Sequence, residues 1–527
     1  MPADEPVPGA PLHPDAIDDR LARFSPVVVF GIALGLYMRT LLPGIAFGDW
    51  GEMQTVPHVL GVAHPTGYPT YVLLAWLAQL VPLGSVAFKL NLLSALLVAG
   101  ALATVCAIAQ RLGVRPLLAI AGALAVGAVG TVWAAATVAE VNPLHLLFCA
   151  LLIHRALVWE ARRRTLDLVL GGLLIGLALG NHLLTLFVAP FIVLFVLWAG
   201  RRDLLHRPWI LVPTALAIVL GLTVYAYIPL AAARSPVLPY NHPATLDDVW
   251  WLVSGRQFRD QFDFLSAKGP GEFVASLGAL RDLALSRATA ILPILGLAGV
   301  AVLLVRRTAF GLLCVAILVS GAYVWANYLR LEHYLLVPWL VLGIGATVAL
   351  EALAGGVSRV LRRLGRSERT VRWSGTAVGL AALAFAVGLA GLNFGTSDRS
   401  ADRSGDAYVD AVLAALPENA AILSYWDAST PLWHAEYVDG RRPDVLIVDD
   451  TNIVYEGWGT RENRIASLIC ERPVFMIRLD PRDYQPTLAS YRLTRLIDVR
   501  VAIGGPTAAA TSQVYRVEPR DPAACDG

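Results

Sequence analysis

The sequence predicts an α-helical polytopic membrane protein, with about eleven transmembrane helices and a small C-terminal α/β domain. The first observation is composition, because 56% of the 527 residues are hydrophobic and only 16% are charged. Soluble domains carry about 25% charged residues, so this chain lacks the charge that a water-exposed surface requires. The second observation is a series of long apolar runs that continues to about residue 394. The third is the change after that point to short, alternating β-rich and helical segments.

Eleven apolar runs account for the predicted transmembrane helices, since about 20 mostly apolar residues cross the hydrocarbon core of a bilayer as a helix. The runs lie near residues 26–43, 88–110, 116–136, 144–160, 166–182, 183–200, 208–231, 288–305, 309–327, 334–353 and 374–394. A further run, 69–82, is too short to span and is predicted to form an interfacial helix.

The placement of arginine predicts the orientation, because Lys and Arg in short loops favour the cytoplasmic side. If the N-terminus is cytoplasmic, the even-numbered connections face the cytoplasm, and each of them carries arginine. They contain Arg111 and Arg115; Arg162, Arg163 and Arg164; Arg201, Arg202 and Arg207; Arg306 and Arg307; and Arg359, Arg362, Arg363, Arg366, Arg369 and Arg372. The first outer connection, 44–68, contains neither Lys nor Arg. We therefore expect a multi-pass protein of the cytoplasmic membrane whose C-terminal domain is extracytoplasmic.

Three regions follow from this organisation. Residues 1–24 are predicted to form a disordered cytoplasmic tail, residues 25–394 a transmembrane domain, and residues 395–527 an extracytoplasmic α/β domain. Within the transmembrane domain, residues 232–287 form a long outer segment. The net charge of +2 is too small to indicate a nucleic-acid partner, so membrane lipid is the first partner that the sequence predicts.

The C-terminal region alternates two kinds of pattern, which is typical of a small α/β domain with a largely parallel sheet. The β-rich runs are Ala421–Tyr425, Val445–Val448 and Val474–Ile477, and the helical patterns are Ala407–Leu416 and Arg461–Cys470. Cys470 and Cys525 both fall in this region, where an extracytoplasmic location permits oxidation. A disulfide between them is a hypothesis.

Polar side chains collect at the outer ends of the predicted helices. They are Asp49, Glu52, His58 and His64; Glu140, Asn142 and His145; Asn181 and His182; Arg256 and Gln257; and Arg330, Glu332, His333 and Tyr334. Each alone is explained as a solvated or helix-end residue, since polar groups at helix ends cost little. Their accumulation on one face of the membrane predicts a cavity that opens to the outside.

Such a cavity has the groups that glycosyl transfer from a lipid-phosphate sugar requires. A carboxylate can act as general base toward a hydroxyl, and an arginine can hold a phosphate through charge-assisted hydrogen bonds. From the residues alone, Asp49 or Glu52 fits the base, and Arg256 or Arg330 fits the cation. A lipid donor would enter sideways from the bilayer, and its phosphate becomes a good leaving group once neutralised.

Three strings carry a resemblance to a known family. They are Gly48-Asp49-Trp50-Gly51-Glu52, Leu60-Gly61-Val62-Ala63-His64-Pro65-Thr66-Gly67-Tyr68-Pro69-Thr70-Tyr71, and Phe88-Lys89-Leu90-Asn91-Leu92-Leu93-Ser94-Ala95. The resemblance continues through Ala139-Glu140-Val141 and Gly180-Asn181-His182. The chain resembles a family long catalogued as a membrane domain of unknown function, whose animal members are protein O-mannosyltransferases. That family looks like a branch of the GT-C glycosyltransferases, which use polyprenyl-phosphate sugars.

The resemblance implies roles for the candidate residues. Asp49 would be the general base, and Glu52 and Glu140 would be supporting or acceptor-positioning carboxylates. From the residues themselves, we expect His64 and His182 to donate or accept hydrogen bonds in the cavity, and Arg256 to hold the phosphate. The other predicted substrate-binding residues are Tyr68, Asn142, Gln257, Arg330, Glu332 and Tyr334. This chain has Trp50 where members of the family usually carry serine.

The predicted function is transfer of a sugar, with mannose as one candidate, from a polyprenyl-phosphate donor to an extracytoplasmic protein or glycan. The lipid-linked sugar is a co-substrate, and no other cofactor is expected. No His/Cys cluster indicates zinc, whereas a divalent ion held by carboxylates remains open. A secondary transporter or a lipid-linked-sugar translocase is the main alternative, although internal repeats are not evident and the charges lie at helix ends. A third alternative is a scaffold whose C-terminal domain binds a partner.

Overall fold

The computed structural model describes residues 19–234, 236–258, 269–327, 330–453, 456–503 and 509–521, together with Cys525. A bundle of apolar helices extends as far as Ser397 and is followed by four helices and a five-stranded sheet. The tail predicted over residues 1–24 lies outside the described residues up to position 18. Its last residues belong to the first helix, which begins at Asp19.

The described part of the bundle contains seventeen α-helices. They are α1 (Asp19–Arg39), α2 (Gly48–Val59), α3 (Pro69–Gln79), α4 (Val86–Arg111), α5 (Pro116–Gly127), α6 (Gly130–Ala136), α7 (Asn142–Arg162), α8 (Thr165–Leu179), α9 (Ala189–His206), α10 (Leu211–Leu222), α11 (Tyr227–Ala232), α12 (Leu246–Val253), α13 (Pro270–Ala288), α14 (Ile291–Arg306), α15 (Thr308–Asn327), α16 (Leu336–Arg363) and α17 (Glu368–Ser397). Short 3₁₀ turns occur at Leu183–Phe187, Pro208–Ile210, Thr223–Ala226, Arg256–Phe258 and Glu332–Leu335.

Seven helices among the described residues are long and apolar enough to cross a membrane, and two bent pairs raise this number to nine if each pair is one span. The bent pairs are Pro116–Gly127 with Gly130–Ala136, at 74°, and Gly271–Ala288 with Ile291–Arg306, at 110°. The predicted runs near 166–182 and 183–200 form α8 and α9. The first of these helices has only 15 residues, and the second ends in a charged turn with Arg201, Arg202 and Asp203.

The outer surface of the bundle is apolar. Ile32, Val219, Ile294 and Leu380 are each more than half exposed, at 51%, 60%, 64% and 53%. Contiguous exposure of large apolar side chains is unusual on a water-soluble protein and is expected where helices face lipid. The chain is therefore a multi-pass membrane protein.

Helix packing within the bundle depends on small residues at close approaches. A Cβ on Gly176 of α8 would lie 2.4 Å from the carbonyl oxygen of Ile218 and 2.8 Å from Cα of Gly221, both on α10. Glycines that recur every fourth residue let two helix backbones approach closely. Gly172 and Gly176, which the sequence spaces in this way, therefore serve packing.

The C-terminal region combines helices α18 (Ser404–Ala415), α19 (Trp426–Tyr437), α20 (Arg461–Leu468) and α21 (Gln485–Ser490) with strands β1 (Ala421–Ser424), β2 (Leu446–Asp449), β3 (Val474–Arg478), β4 (Tyr491–Ala502) and β5 (Ala509–Pro519). The strand order is β2-β1-β3-β5-β4, in which β1 pairs in parallel with β2 and β3. Strand β5 pairs antiparallel with β3 and β4. The prediction of a largely parallel sheet is therefore wrong for the two longest strands. A disulfide joins Cys470 to Cys525, as hypothesised from the sequence.

Residues 40–68, which we call the site loop although they contain α2, join the C-terminal region to the bundle. Ile45 and Phe47 belong to the same buried cluster as residues of α18, α19 and the sheet. The Phe47 ring lies 5.3 Å from that of Tyr408 in α18. The C-terminal core is therefore completed by the first connection of the bundle, and the two parts pack as one unit.

Candidate active site

The site loop is fixed to the bundle by two buried amide side chains. Gln54 of α2 donates to Oδ1 of Asn91 in α4 at 2.9 Å. The same oxygen of Asn91 accepts from the N–H of Ala139 at 2.8 Å, and its amide group donates to the carbonyl of Leu42 at 2.7 Å. Both amides are fully buried, and buried polar groups of this kind are stable only when hydrogen-bonded. The network therefore holds α2, α4 and the turn before α7 in a fixed arrangement.

Helix α2 lies against α19 at positions that require glycine. Gly48 has a φ of +59°, and a Cβ on it would lie 2.6 Å from Oδ1 of Asp427. A Cβ on Gly51 would lie 2.8 Å from Oγ1 of Thr430. A left-handed φ and these separations are readily accepted only by a residue without a side chain. The first turn of α2, which carries Asp49, is thus pressed against the C-terminal region.

Asp49 lies at this junction. One oxygen of its carboxylate is hydrogen-bonded, and the side chain is largely exposed. Its Oδ1 accepts a hydrogen bond from Nε1 of Trp426 at 2.7 Å, and its Oδ2 lies 4.0 Å from Nε2 of His64. The side chain is 58% exposed. A carboxylate in the first turn of a helix is also favoured by the helix dipole. Asp49 is therefore an oriented carboxylate that a hydroxyl can reach.

Glu52, one turn further along α2, is 2% exposed and binds His64 at two atoms. Its Oε1 accepts from the N–H of His64 at 2.8 Å, and its Oε2 is bonded to Nδ1 of the ring. Burial raises the pKa of Glu52, against the opposing effect of the histidine. Burial alone would lower the pKa of His64, but the charges of Glu52 and Asp49 raise it to about 9. The pair therefore retains a shared proton through neutral pH, and Glu52 orients His64.

Glu140 precedes α7 and is also buried, at 6% exposure. Its Oε2 accepts from Nε1 of Trp50 at 2.9 Å, and its Oε1 accepts from the amide of Asn142 at 3.1 Å. The guanidinium carbon of Arg399, which is itself 7% exposed, lies 5.5 Å from the centroid of the Trp50 ring. Burial lowers the pKa of Arg399 to about 10, so it keeps its charge at neutral pH. Trp50 thus connects a buried carboxylate to a buried cation beside the site loop.

Aromatic rings continue the site toward the bundle. The hydroxyl of Tyr68 lies 3.0 Å from Nε2 of His64, and its ring lies 5.7 Å from that of His182. His182 in turn lies 5.5 Å from the ring of Tyr334 and 5.8 Å from that of His145. The structure therefore brings Tyr68, His182 and Tyr334 together with the carboxylates of the site loop.

Arg256 and Gln257 lie at the edge of this group. Oε1 of Gln257 accepts from the hydroxyl of Tyr240 at 2.7 Å, and the Tyr240 ring lies 6.0 Å from that of Trp426. Arg256 is exposed, in the 3₁₀ turn that contains Gln257. The connection of these two residues to Asp49 is thus indirect, through Tyr240 and Trp426.

Arg330 and Glu332 make their contacts with other elements. Arg330 donates from Nη2 to the hydroxyl of Ser276 in α13 at 2.9 Å. Glu332 accepts two hydrogen bonds from Arg287, at 2.8 and 3.0 Å, and one from the hydroxyl of Thr131 at 3.2 Å. The interactions of Glu332 fasten α13 and α6 to the start of α16. In the parts of the chain that the structure covers, no group of three His, Cys, Asp or Glu side chains could hold a metal ion.

The fold has counterparts among solved structures. ArnT from Cupriavidus metallidurans, in a crystal structure bound to undecaprenyl phosphate, aligns with a TM-score of 0.58 over 93% of this chain and 97% of its own, at 14% identity. The oligosaccharyltransferase AglB from Archaeoglobus fulgidus, in complex with an inhibitory peptide and a dolichol-phosphate, aligns with a TM-score of 0.50 over 87% and 70%, at 13% identity.

Sequence comparisons give relatives at higher identity. Residues 49–205 match the family model described as the Protein O-mannosyl-transferase TMEM260 N-terminal domain. The mouse Protein O-mannosyl-transferase TMEM260 is 28% identical over 463 residues, which cover 82% of this chain and 63% of the mouse protein. A Dictyostelium discoideum protein of the same description is 35% identical over 74 residues, which cover 14% of this chain and 9% of that protein. The chain thus spans less than two thirds of the length of these relatives.

The fold is therefore the GT-C fold of the membrane proteins ArnT and AglB. Among proteins of this fold, the sequence is similar to the TMEM260-type protein O-mannosyl-transferases, which confirms the resemblance found in the motifs of the site loop.

Several residues of the site were not predicted. Trp426, which binds Asp49, follows β1, and side chains after parallel strands often face ligands. That signal was present in the sequence but did not distinguish Trp426 from a turn residue. Asn91 was included in the sequence analysis only as part of a motif and was not predicted as a site residue. A polar residue within an apolar run is a functional signal by itself. Arg399 had no signal, because its partner Trp50 is almost 350 residues away in the chain.

Proposed function

We propose that this protein is a glycosyltransferase that transfers a sugar, with mannose as the first candidate, from a polyprenyl-phosphate carrier to a hydroxyl group of a protein. The observation that carries the proposal is the Asp49 carboxylate, which is oriented by Trp426 yet 58% exposed, on a loop of a GT-C fold. The mouse relative is a protein O-mannosyl-transferase, which supports a protein acceptor, and ArnT is bound to undecaprenyl phosphate, which supports a lipid-phosphate carrier.

The proposed reaction uses few groups. The Asp49 carboxylate accepts the proton of the acceptor hydroxyl while that oxygen forms a bond to the anomeric carbon of the sugar. The bond between the anomeric carbon and the phosphate oxygen breaks, and the polyprenyl phosphate leaves with the electron pair. A nearby cation stabilises the developing phosphate charge. Arg256, which the sequence analysis predicted for this role, and the buried Arg399 beside Trp50 are the candidates.

The remaining site residues support this reaction. His64, held by Glu52 and Tyr68, lies beside Asp49 and orients the acceptor, and Glu140 holds Trp50 in place. The arginines at the opposite end of the bundle favour the cytoplasmic side of the membrane. The site loop and the C-terminal region would then face the extracytoplasmic side, and the acceptor would be an exported protein.

The test is transfer of radiolabelled mannose from polyprenyl-phosphate mannose to protein in membranes that contain the wild type or Asp49→Asn. Asp247→Asn is the matched control, because Asp247 is exposed in the first turn of α12 and lies outside the site. We expect the label in protein to disappear with Asp49→Asn and to persist in the control. Undiminished transfer by Asp49→Asn would assign the base elsewhere. No transfer by the wild type, with other lipid-linked sugars also offered, would contradict the proposed function.

A further inference from the structure

A cavity of about 80 Å³ lies between the site loop, residues 237–242 and the C-terminal region. Its wall includes Glu52 from the site loop and Trp426, Asp449, Asn452 and Glu456 from the C-terminal region. Trp426 also donates to Asp49, and Glu52 holds His64. The cavity is therefore continuous with the carboxylate centre but is lined on its far side by residues that the proposed reaction does not use.

The far wall lies at the carboxyl end of β2, the edge strand of the parallel part of the sheet. Asp449 is the last residue of β2 and is 3% exposed. Its Oδ1 accepts from the N–H of Thr451 at 3.1 Å, and its Oδ2 accepts from the amide of Asn452 at 3.4 Å. In open α/β sheets, ligands bind at this end of the strands. Asn452 is thus oriented by Asp449 at the position where this fold accepts ligands.

The other end of the Asn452 amide has no partner within the structure. Among the residues that the structure describes, no donor reaches its buried Oδ1, although buried polar atoms are normally hydrogen-bonded. The unpaired atom is an acceptor, so its partner must be an N–H or O–H donor. Burial also raises the pKa of Asp449 to about 8, which leaves the carboxyl group beside Asn452 mostly uncharged at neutral pH. The wall therefore suits a neutral hydrogen-bond donor.

The volume of the cavity distinguishes a protein acceptor from a glycan acceptor. A buried cavity of about 150 Å³ admits benzene, which has six heavy atoms, so a cavity of about 80 Å³ admits a group of about three. A serine, threonine or small amide side chain has about that number. A whole hexose has twelve heavy atoms and does not fit. The volume therefore favours one small side chain of a polypeptide over a sugar of a glycan.

We propose that this cavity is a specificity subsite for the acceptor protein, and that it binds a small hydrogen-bond-donating side chain next to the glycosylated residue. The proposal rests on the proposed function for the identity of the reaction. Asn452 Oδ1 accepts the hydrogen bond from that side chain, Glu456 borders it, and the Trp426 ring separates it from the reacting hydroxyl at Asp49. Sequence preference of the enzyme therefore resides in the C-terminal region.

The experiment uses full-length protein in membranes and alanine-based decapeptides with one serine acceptor and one randomised neighbouring position. Glycosylated products are sequenced for the wild type, Asn452→Ala and Val237→Trp. Val237 is half-exposed on the cavity wall, so a tryptophan there fills the cavity without entering the core. Gln485→Ala and Leu496→Trp are matched controls on exposed positions of the same region.

We expect wild type and controls to prefer Ser, Thr or Asn over Leu and Trp at one neighbouring position by about three- to tenfold, the effect of one hydrogen bond. Both cavity variants should lose this preference while they still transfer sugar. If the wild type shows no preference at the neighbouring position, or if both cavity variants keep it, the subsite proposal is wrong. The proposed function would be unaffected by either result.

A second experiment, by crosslinking, does not depend on sugar transfer. A photoreactive benzoylphenylalanine at position 242, an exposed residue that lines the cavity, should crosslink the peptide pool with Thr at the preferred position when no lipid donor is present. If nothing is transferred, Thr is placed at either neighbouring position of the peptide. The crosslink to the same pool with Trp there should be several-fold weaker. Equal crosslinking of both pools would also overturn the subsite. If the Thr pool is crosslinked selectively but no sugar is transferred, the cavity is a peptide-binding site and the proposed reaction is wrong.

Discussion

Nε1 of Trp426 donates a hydrogen bond of 2.7 Å to Oδ1 of Asp49, across 377 positions of the chain. Trp426 is the first residue of α19, and Asp49 lies in the first turn of α2. An exposed carboxylate rotates freely unless a partner holds it, so the indole fixes which oxygen faces the site. The C-terminal region therefore takes part in orienting the proposed base and is more than an appendage of the bundle.

Replacement of Trp426 by phenylalanine tests this relationship. The phenyl ring retains the apolar contact with His64, Tyr240 and Trp433 but has no donor for Asp49. Because a hydrogen bond to a charged group contributes about 1.5–3 kcal/mol, we expect kcat for sugar transfer to fall about 10- to 100-fold. The KM for the lipid donor should change little. Trp250→Phe, on the exposed face of α12, is the control, and an unchanged kcat in Trp426→Phe would contradict the orienting role.

Arg399 allows a prediction about the donor phosphate. If this buried cation stabilises the phosphate, Arg399→Gln should raise the KM for polyprenyl-phosphate mannose by about tenfold or more, because charges interact more strongly away from bulk water. Arg256→Gln, at an exposed position, should have a smaller effect that weakens with added salt. The measurement is initial rate against donor concentration at two ionic strengths. Arg403→Gln, an exposed arginine just before α18, is the control. The assignment fails if Arg399→Gln binds the donor as the wild type does.

The sequence predicted the site loop better than it predicted the C-terminal region. Apolar runs, arginine placement and the Asp49-to-Tyr68 motifs are local signals, and the helices follow them closely. The antiparallel strands β4 and β5 alternate polar and apolar residues, with arginine at several of the exposed positions. The alternation in β4 shifts by one position at an irregularity in pairing between Arg495 and Ile497, which interrupts the period of two that identifies a strand. Helix α19 was missed because it contains Pro431 and has no clear apolar stripe.

The candidate site shows the same difference between local and long-range contacts. Asp49, Glu52 and His64 are near one another in sequence, and their association follows from one helix and one turn. The contribution of Trp426 depends on how α19 docks on Gly48 and Gly51, which no local pattern encodes. Arg330 and Glu332 were grouped with the site because they share one end of the bundle, yet they form hydrogen bonds with α13 and α6. Two residues that lie at the same depth in the membrane need not be in contact with each other.

The His64–Glu52 pair predicts an alkaline limit of activity. The pKa of His64 is raised from its usual 6.5 to about 9, so the stabilisation from its protonation is complete below 6.5 and is lost as the pH rises through 9. We expect the rate of transfer to fall with a midpoint near pH 9. Glu52→Gln removes the largest charge that holds the proton and should move this limit to lower pH. An alkaline limit that is the same in both proteins would show that another group controls it.

His434 predicts the opposite sensitivity, to acid, at the junction of the two parts of the molecule. The hydroxyl of Thr55 donates to the carbonyl of Gly51 at 2.8 Å, so at 3.3 Å it can only accept from Nδ1–H of His434, and Nε2 remains without its proton. Burial lowers the pKa of His434 from 6.5 to about 3. Its contribution to stability is therefore present above pH 6.5 and is lost as the pH falls toward 3.

Between pH 7 and pH 5 this loss amounts to about 2 kcal/mol for a fully buried imidazole, because each unit of pKa difference corresponds to about 1.4 kcal/mol. We expect thermal unfolding of the C-terminal region in detergent, followed by tryptophan fluorescence, to occur at lower temperature at pH 5. His434→Gln, which keeps a donor for Thr55 but does not titrate, should remove most of this difference, whereas His206→Gln at the opposite end of the bundle should not. An equal pH dependence in the wild type and His434→Gln would mean that acid acts elsewhere, and that the junction between α2 and α19 is not the acid-sensitive contact of this protein.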